Sequence, residues 1–200
     1  MWEERYSAAD DYVFGTDPAR YLVEHAEHLT SGLTALAVAD GEGRNSVYMA
    51  ERGVNVTALE FAPTAIERAA ALAHSKGVTV DFRQTDLLQD DWVEEDNYDL
   101  VVGVFIQFVG PDDRARQFDG MKDSCKPGGL VLLHGYTPKQ LEFGTGGPPF
   151  AENMYTEAQM RADFAGWEII ECRAYEREVQ EGRGHVGMSA LLDFVARKPA

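Results

Sequence analysis

Two hundred residues at 44% hydrophobic content suffice for one globular domain with a sizeable core, and no run approaches the roughly 20 consecutive apolar residues of a membrane span. A formal net charge of −16, from 34 acids against 18 Lys and Arg, argues against a nucleic-acid partner, because no basic face is segregated: the densest stretch, Arg173 to Arg183, is interrupted by Glu176, Glu178 and Glu181. The charged opening Met1-Trp2-Glu3-Glu4-Arg5-Tyr6 lacks the apolar core of a secretory signal and Cys125 and Cys172 are two separated thiols, so a cytoplasmic protein with reduced cysteines, a small-molecule partner and no membrane contact is expected.

In chain order, Asp17-Pro18-Ala19-Arg20 reads as a helix start, with Asp17 as cap and Pro18 at the first helical position, and the helix runs to about Leu29. A first apolar strand, Leu33 to Ala39, is followed by a helix over about Arg44 to Arg52, a stop at Gly53 and a second strand, Val54 to Leu59. An alanine-rich helix starts at Pro63 and stops at Lys76-Gly77. A short third strand, Thr79 to Arg83, precedes Thr85-Asp86-Leu87, and the nearly continuous apolar run Tyr98 to Phe105 has the character of a central parallel strand. Pro111 opens a helix ending near Cys125, Lys126-Pro127-Gly128-Gly129 reads as a tight turn, and the fifth strand is Leu130 to His134. A Gly/Pro-rich loop spans Gly144 to Pro149, and a helix covers about Thr156 to Phe164 with Thr156 as cap. Trp167 to Val179 and Gly187 to Ala196, joined by Gln180-Glu181-Gly182-Arg183-Gly184, read as a terminal antiparallel hairpin. The pattern is α/β, a doubly wound and mostly parallel sheet in one domain, with residues 1–30 as an N-terminal cap segment and helix and residues 31–200 as core.

Leu33 to Glu60 carries the chemistry. An apolar strand enters Asp40-Gly41-Glu42-Gly43-Arg44-Asn45, a helix follows, and a second strand ends on an acid, Glu60, 19 positions after Gly41. Glycines admit close backbone approach, a helix N-terminus offers free N–H groups, and an acid at that spacing suits a ribose: this is a nucleotide-binding βαβ unit.

With these stretches, Gln84 to Leu87, Tyr98 to Phe105 and Lys126-Pro127-Gly128-Gly129-Leu130, the chain resembles the class I S-adenosylmethionine-dependent methyltransferases over nearly its full length. That family has a seven-stranded sheet with a reversed last strand. Within it, Gly41 to Asn45, Trp2 to Tyr6 with Tyr12-Val13-Phe14-Gly15, and Gly144 to Pro148 are similar to the small bacterial tellurite-resistance and thiopurine methyltransferases. The resemblance implies S-adenosyl-L-methionine as cofactor, S-adenosyl-L-homocysteine as product, and methyl transfer to a small nucleophile such as a thiol or chalcogen oxyanion. It implies Ala39, Asp40, Gly41, Gly43 and Asn45 as the cofactor loop, with Gly41 and Gly43 under the methionine portion and sugar. It implies Glu60 on the ribose hydroxyls, Asp86 and the Leu87 backbone on adenine, and Phe61 and Phe105 as cofactor walls. The sequence departs from the class at Ala37, where an acid is usual, and at Ala39, where a glycine is usual. Asp40 or Glu42 is the candidate replacement for the acid, holding the methionine ammonium. Because alanine tolerates left-handed angles poorly, the loop turn is expected to be of a different type.

A base is needed only where the acceptor bears a proton. His134, at the end of the fifth strand, is the first candidate, with Tyr136 at the same rim and His185 in the hairpin. Arg5, Tyr12 and Tyr155 are candidates for the substrate pocket, and Gly144 to Phe150 reads as a lid or a surface loop. His25 and His28 lack a third ligand at metal spacing, so no metal is expected. A nicotinamide-dependent oxidoreductase would share the βαβ unit and Glu60, but Ser46 replaces the third glycine of its loop; a non-catalytic cofactor-binding sensor is a third possibility.

Overall fold

The computed structural model describes residues 2–182 and 185–200. The strands are β1 (Thr34–Val38), β2 (Asn55–Glu60), β3 (Asp81–Gln84), β4 (Tyr98–Val104), β5 (Cys125–Tyr136), β6 (Glu168–Glu181) and β7 (His185–Arg197), in one sheet of order β3-β2-β1-β4-β5-β7-β6. The pairs from β3 to β5 are parallel, and β7 runs antiparallel to both β5 and β6. The helices are α1 (Trp2–Ser7), α2 (Arg20–Glu24), α3 (Arg44–Glu51), α4 (Pro63–Lys76), α5 (Pro111–Ser124), α6 (Gln140–Phe143) and α7 (Glu157–Asp163).

Alternation along each buried strand divides the core into two layers. Leu36, Val38, Val101, Val131 and Leu133 face Phe118 and Met121 of α5 and Met160 of α7. Their neighbours Ala35, Ala37, Leu100, Val102, Leu130 and Leu132 face Tyr21 and Leu22 of α2 and Met49 of α3. Both faces of the central strands are therefore covered, which is why their sequences are continuously apolar. The strand order reverses between β1 and β4, and the carboxyl ends of these strands define the open crevice where a doubly wound sheet takes ligands.

Two expectations about elements are corrected. The helix expected from Pro18 to Leu29 is split into α2 and a 3₁₀ turn, Ala26–His28. Its first donors go to tertiary partners, Ala19 N–H to Asn45 Oδ1 at 2.9 Å and Arg20 N–H to Glu181 Oε1 at 3.2 Å, rather than to Asp17. At its other end the Tyr21 carbonyl is 3.0 Å from the His25 amide and 2.7 Å from His25 Nδ1, which closes the helix. Secondly, Lys126 to Gly129 is part of β5: Tyr98 pairs with Cys125, the register slips, and Leu100 then pairs with Leu130. Gly128, at φ 77°, donates its N–H to the Lys198 carbonyl at 3.0 Å, so the glycine stretch bends within the strand as a bulge held by the segment after β7.

Gly43 caps α3 at φ 86°, and a Cβ there would lie 2.6 Å from Cβ of Ala69 on α4. Left-handed strain and overpacking together predict that Gly43→Ala lowers stability by about 3 kcal/mol, measured by urea unfolding. A loss under about 0.5 kcal/mol would mean that α3 and α4 do not need this contact.

Candidate active site

A cavity of about 290 Å³ lies over the carboxyl ends of β1, β2 and β4, partly roofed by Trp2 and Tyr6 of α1. Its floor is the loop after β1. Glu60, at the end of β2 and 8% exposed, accepts the Gly41 N–H on Oε2 and the Ala62 N–H on Oε1, each at 2.8 Å. With one such donor on each oxygen, the side chain that holds the loop retains acceptor capacity for a ligand hydroxyl. Burial pushes its pKa up, opposed chiefly by the Ala62 and Gly41 amides.

Asp40 lines the cavity and accepts from Ser46 Oγ and Ser46 N–H. Desolvation raises its pKa to about 6, helped by the nearby Glu60 charge and opposed by Ser46 and Arg44. It is half-buried and makes no ion pair among the described residues, so its carboxylate is available to a cation entering the cavity. Glu42 is separated from it: its carboxylate takes Arg68 Nη1 and the Val13 N–H, both at 2.7 Å, outside the cavity. Ala39 stands at φ 50°, so the loop keeps the left-handed turn despite the alanine, contrary to the expectation of a different turn type. Phe105, at the tip of neighbouring β4, is also left-handed at φ 57°. Two non-glycine residues in this region at one rim is a concentration of strain of the kind found at ligand sites.

Of the residues expected at the cofactor, Ala39, Asp40, Gly41, Asn45, Glu60, Phe61, Asp86, Leu87 and Phe105 all line the cavity. Gly43 does not; it is packed under Ala69, and its lack of a side chain serves the helix contact described above. Asp86 Oδ1 accepts the Leu88 N–H at 2.9 Å, which fixes the turn after β3. Phe61 is 54% exposed and stands with Leu88 and Phe108 at the mouth.

The catalytic candidates are dispersed. His185 lines the cavity, between Phe14 (4.6 Å between ring centroids) and Phe105 (4.2 Å). Burial lowers its pKa, against the pull of Glu181, so the ring is neutral near pH 7. His134 is behind this wall. It is 2% exposed, its Nδ1 is 2.7 Å from Asp193 Oδ1, and its ring stacks on Tyr21. The strand does not end at His134 but continues to Tyr136, pairing with β7, and this seals the side chain inside the sheet. Tyr136 is also buried and does not line the cavity. Tyr155 packs in the core against Phe118, and the Tyr12 hydroxyl donates to the Arg68 carbonyl at 2.9 Å on the outer side of α4; neither reaches the cavity. Arg5 is exposed, with its guanidinium over the rings of Trp2 and Phe14. Of the Gly144 to Phe150 loop, Thr145 Oγ1 donates to the Met188 carbonyl at 2.6 Å and Gln140 Nε2 reaches Thr145 and Gly146, which ties it to β7. Arg183 lies outside the described residues.

Several lining residues were not singled out from the sequence as site residues, Trp2, Tyr6, Phe14 and Arg44 among them. Trp2 and Tyr6 are one helical turn apart, which is the signal available for a shared face, but so short a helix gives no amphipathic period.

Residues 35–129 match a family of methyltransferase domains. An uncharacterized protein of Mycobacterium tuberculosis is 26% identical over 120 residues; the match covers 60% of this chain but only 43% of that protein, so the chain spans less than half the length of the curated relatives it matches. Among solved structures, one described for the conversion of a disulfide bond into a thioacetal group during echinomycin biosynthesis superposes with a TM-score of 0.78, at 18% identity, covering 99% of this chain and 92% of its own. TehB from Haemophilus influenzae gives 0.72 at 18% identity, covering 98% and 65%, and an S-adenosylmethionine-dependent methyltransferase from Methanosarcina mazei gives 0.70 at 18%, covering 88% and 97%. At such identities the likeness is one of fold.

Asp40 has a folded-state pKa above its ordinary value of 3.8, so its burial costs stability once it ionises, fully above about pH 6 and not at all below about pH 4. Asp40→Asn is therefore expected to be more stable than the parent at pH 7.5 in the absence of ligand, with the difference fading toward pH 4, in thermal melts across that range.

Proposed function

We propose that this chain, a class I S-adenosylmethionine-dependent methyltransferase by its domain and fold, methylates a small-molecule nucleophile, a thiol or a chalcogen oxyanion, in the cytoplasm. The observation that carries the reading is the acidic floor of the cavity, with Glu60 held 2.8 Å from the Gly41 and Ala62 amides and Asp40, half-buried, lining the same floor without an ion pair among the described residues. These groups fit the cofactor. Glu60 takes the ribose hydroxyls, Asp40 the methionine ammonium through a charge-assisted bond, and Asp86 with the Leu87 backbone the adenine edge, with Phe61 and Phe105 as walls. When bound, S-adenosylmethionine supplies a methyl group activated by a sulfonium.

The residues then have two tasks, alignment and exclusion of water. Phe14, Phe105 and Phe108 make the acceptor side apolar, and Trp2 and Tyr6 cover the floor. His185, neutral and facing the same space, accepts the proton of a thiol as its sulfur attacks; a chalcogen oxyanion has no proton to lose and needs only positioning. The fold relative described for a disulfide-to-thioacetal conversion works at sulfur, which supports a sulfur or chalcogen acceptor here.

Calorimetric titration with S-adenosylhomocysteine should show binding that Glu60→Ala weakens by about 100-fold or more, the loss of two hydrogen bonds to a charged acceptor. Preference for NADH would overturn the reading. Affinity for the same ligand should fall as the pH drops through about 6, where Asp40 becomes protonated, and Asp40→Asn should bind more weakly at pH 7.5 and lack that step. Transfer of labelled methyl to thiols, selenite or tellurite separates an enzyme from a sensor.

A further inference from the structure

One wall of the cavity holds a buried cation whose hydrogen-bonding capacity is only partly used among the described residues. Arg44 is 6% exposed and lines the cavity; its Nη2 lies 2.8 Å from Glu181 Oε2, and its Nη1 has no hydrogen-bond partner among the described residues. His185, 7% exposed, lines the same wall, and its Nδ1 is 3.9 Å from Glu181 Oε2, beyond hydrogen-bond distance, and is likewise unpartnered. Arg44 and His185 flank one ring: the Arg44 guanidinium carbon is 6.0 Å from the Phe14 centroid and the His185 ring 4.6 Å from it. A buried guanidinium edge without an acceptor is costly, and a guanidinium presents its donors as a planar fork suited to a carboxylate. Glu181, at the end of β6, forms an ion pair with Nη2, while Nη1, buried beside it, has no acceptor among the described residues.

We propose that the Arg44 Nη1 edge binds a carboxylate carried by the methyl acceptor, whose thiol then lies at His185, so that the acceptor is a small mercapto-carboxylic acid. This rests on the methyltransferase reading above. The spacing calls for a short acid, since both groups border the Phe14 ring, and Phe105 and Phe108 accommodate its hydrocarbon portion. His185 takes the thiol proton as the acceptor sulfur forms its bond to the methyl carbon; the bond between that carbon and the sulfonium breaks, and its electron pair stays on the departing sulfur, leaving a thioether acid and S-adenosylhomocysteine. Glu181 acts through Arg44 and is a positioning residue.

The test compares methyl transfer to 3-mercaptopropionate with transfer to 2-mercaptoethanol and to the methyl ester of the same acid. The parent should favour the free acid at least tenfold in kcat/KM. Arg44→Gln should raise KM for the acid at least tenfold and abolish its preference over the neutral thiols, while the dissociation constant for S-adenosylhomocysteine stays within twofold. Because the single variant leaves the half-buried Glu181 without its cation, the double variant Arg44→Gln/Glu181→Gln is measured beside it and should show the same loss of preference. Equal use of acid and ester, turnover of selenite or tellurite but of no thiol acid, or a parallel tenfold loss of S-adenosylhomocysteine affinity, which would place the cofactor's own carboxylate on Arg44, would each overturn the proposal. Absence of S-adenosylhomocysteine binding in the parent would instead remove the methyltransferase reading beneath it.

Discussion

Each oxygen of Glu60 accepts a backbone N–H, one from Gly41 and one from Ala62, and the shape of the cavity follows from that pair of bonds. The carboxylate ties the loop after β1 to the start of α4, so Gly41 and Ala62, in separate segments of the chain, are held at one height above the sheet. Burying a carboxylate costs several kcal/mol, and charge-assisted hydrogen bonds of about 1.5–3 kcal/mol each offset it only when both are made. A carboxylate so held is rigid, and its remaining lone pairs are aimed before any ligand arrives. Preorganisation of this kind lowers the entropy of binding that a flexible acid would have to lose.

The N-terminal segment is attached to this platform by a second set of buried polar contacts. Glu42, in the glycine loop, takes Arg68 from α4 and the Val13 N–H, and the same Arg68 donates to the Ala9 and Asp11 carbonyls. Glu3 accepts the Thr64 N–H at 3.1 Å and the Thr64 hydroxyl at the start of α4. These bonds use the free donors of a helix N-terminus, where an acid is favoured by both hydrogen bonding and the dipole. They hold Trp2 and Tyr6 over the floor. Further along, Arg44 and Glu181 join the glycine-loop helix to the terminal hairpin, so the cavity is closed by segments from both ends of the chain.

Much of this was legible in the sequence because its signals are local. The strand from Ala35, the glycine pair, the acid at Glu60 and the apolar run from Tyr98 each have a short period or a fixed spacing, and the crevice at the strand ends is a consequence of topology. Gly43 shows the limit of that reasoning. Its conformation is what a loop glycine suggests, but the atom that excludes a side chain is Cβ of Ala69, and a contact between positions 26 apart has no local signature. Ala39 shows another limit, since the propensity argument against left-handed alanine is sound but worth only about 1–2 kcal/mol, which the surrounding fold outweighs.

The two histidines, both buried, show why a side chain's partners rather than its position on a strand decide its role. Both His134 and His185 sit near strand tips, and from the sequence His134 has the stronger claim because it ends an apolar run. Yet the register places His134 opposite Asp193, so its ring is bonded to a carboxylate in the sheet, while from β6 Arg173 forms an ion pair with that acid and the Tyr175 hydroxyl donates to it. Hydrogen bonding to His134 and Tyr175 outweighs burial and holds Asp193 below the usual carboxylate range, so the ionised carboxylate is favoured and the network contributes stability, above about pH 4, that is lost as acid neutralises it. The Nδ1 of His185 is 3.9 Å from Glu181, the acid nearest it among the described residues, and desolvation, outweighing the pull of that acid, keeps its ring neutral at the cavity wall. An imidazole engaged by a buried acid serves the sheet. One left neutral, desolvated and facing open space is free to take a proton from whatever binds there.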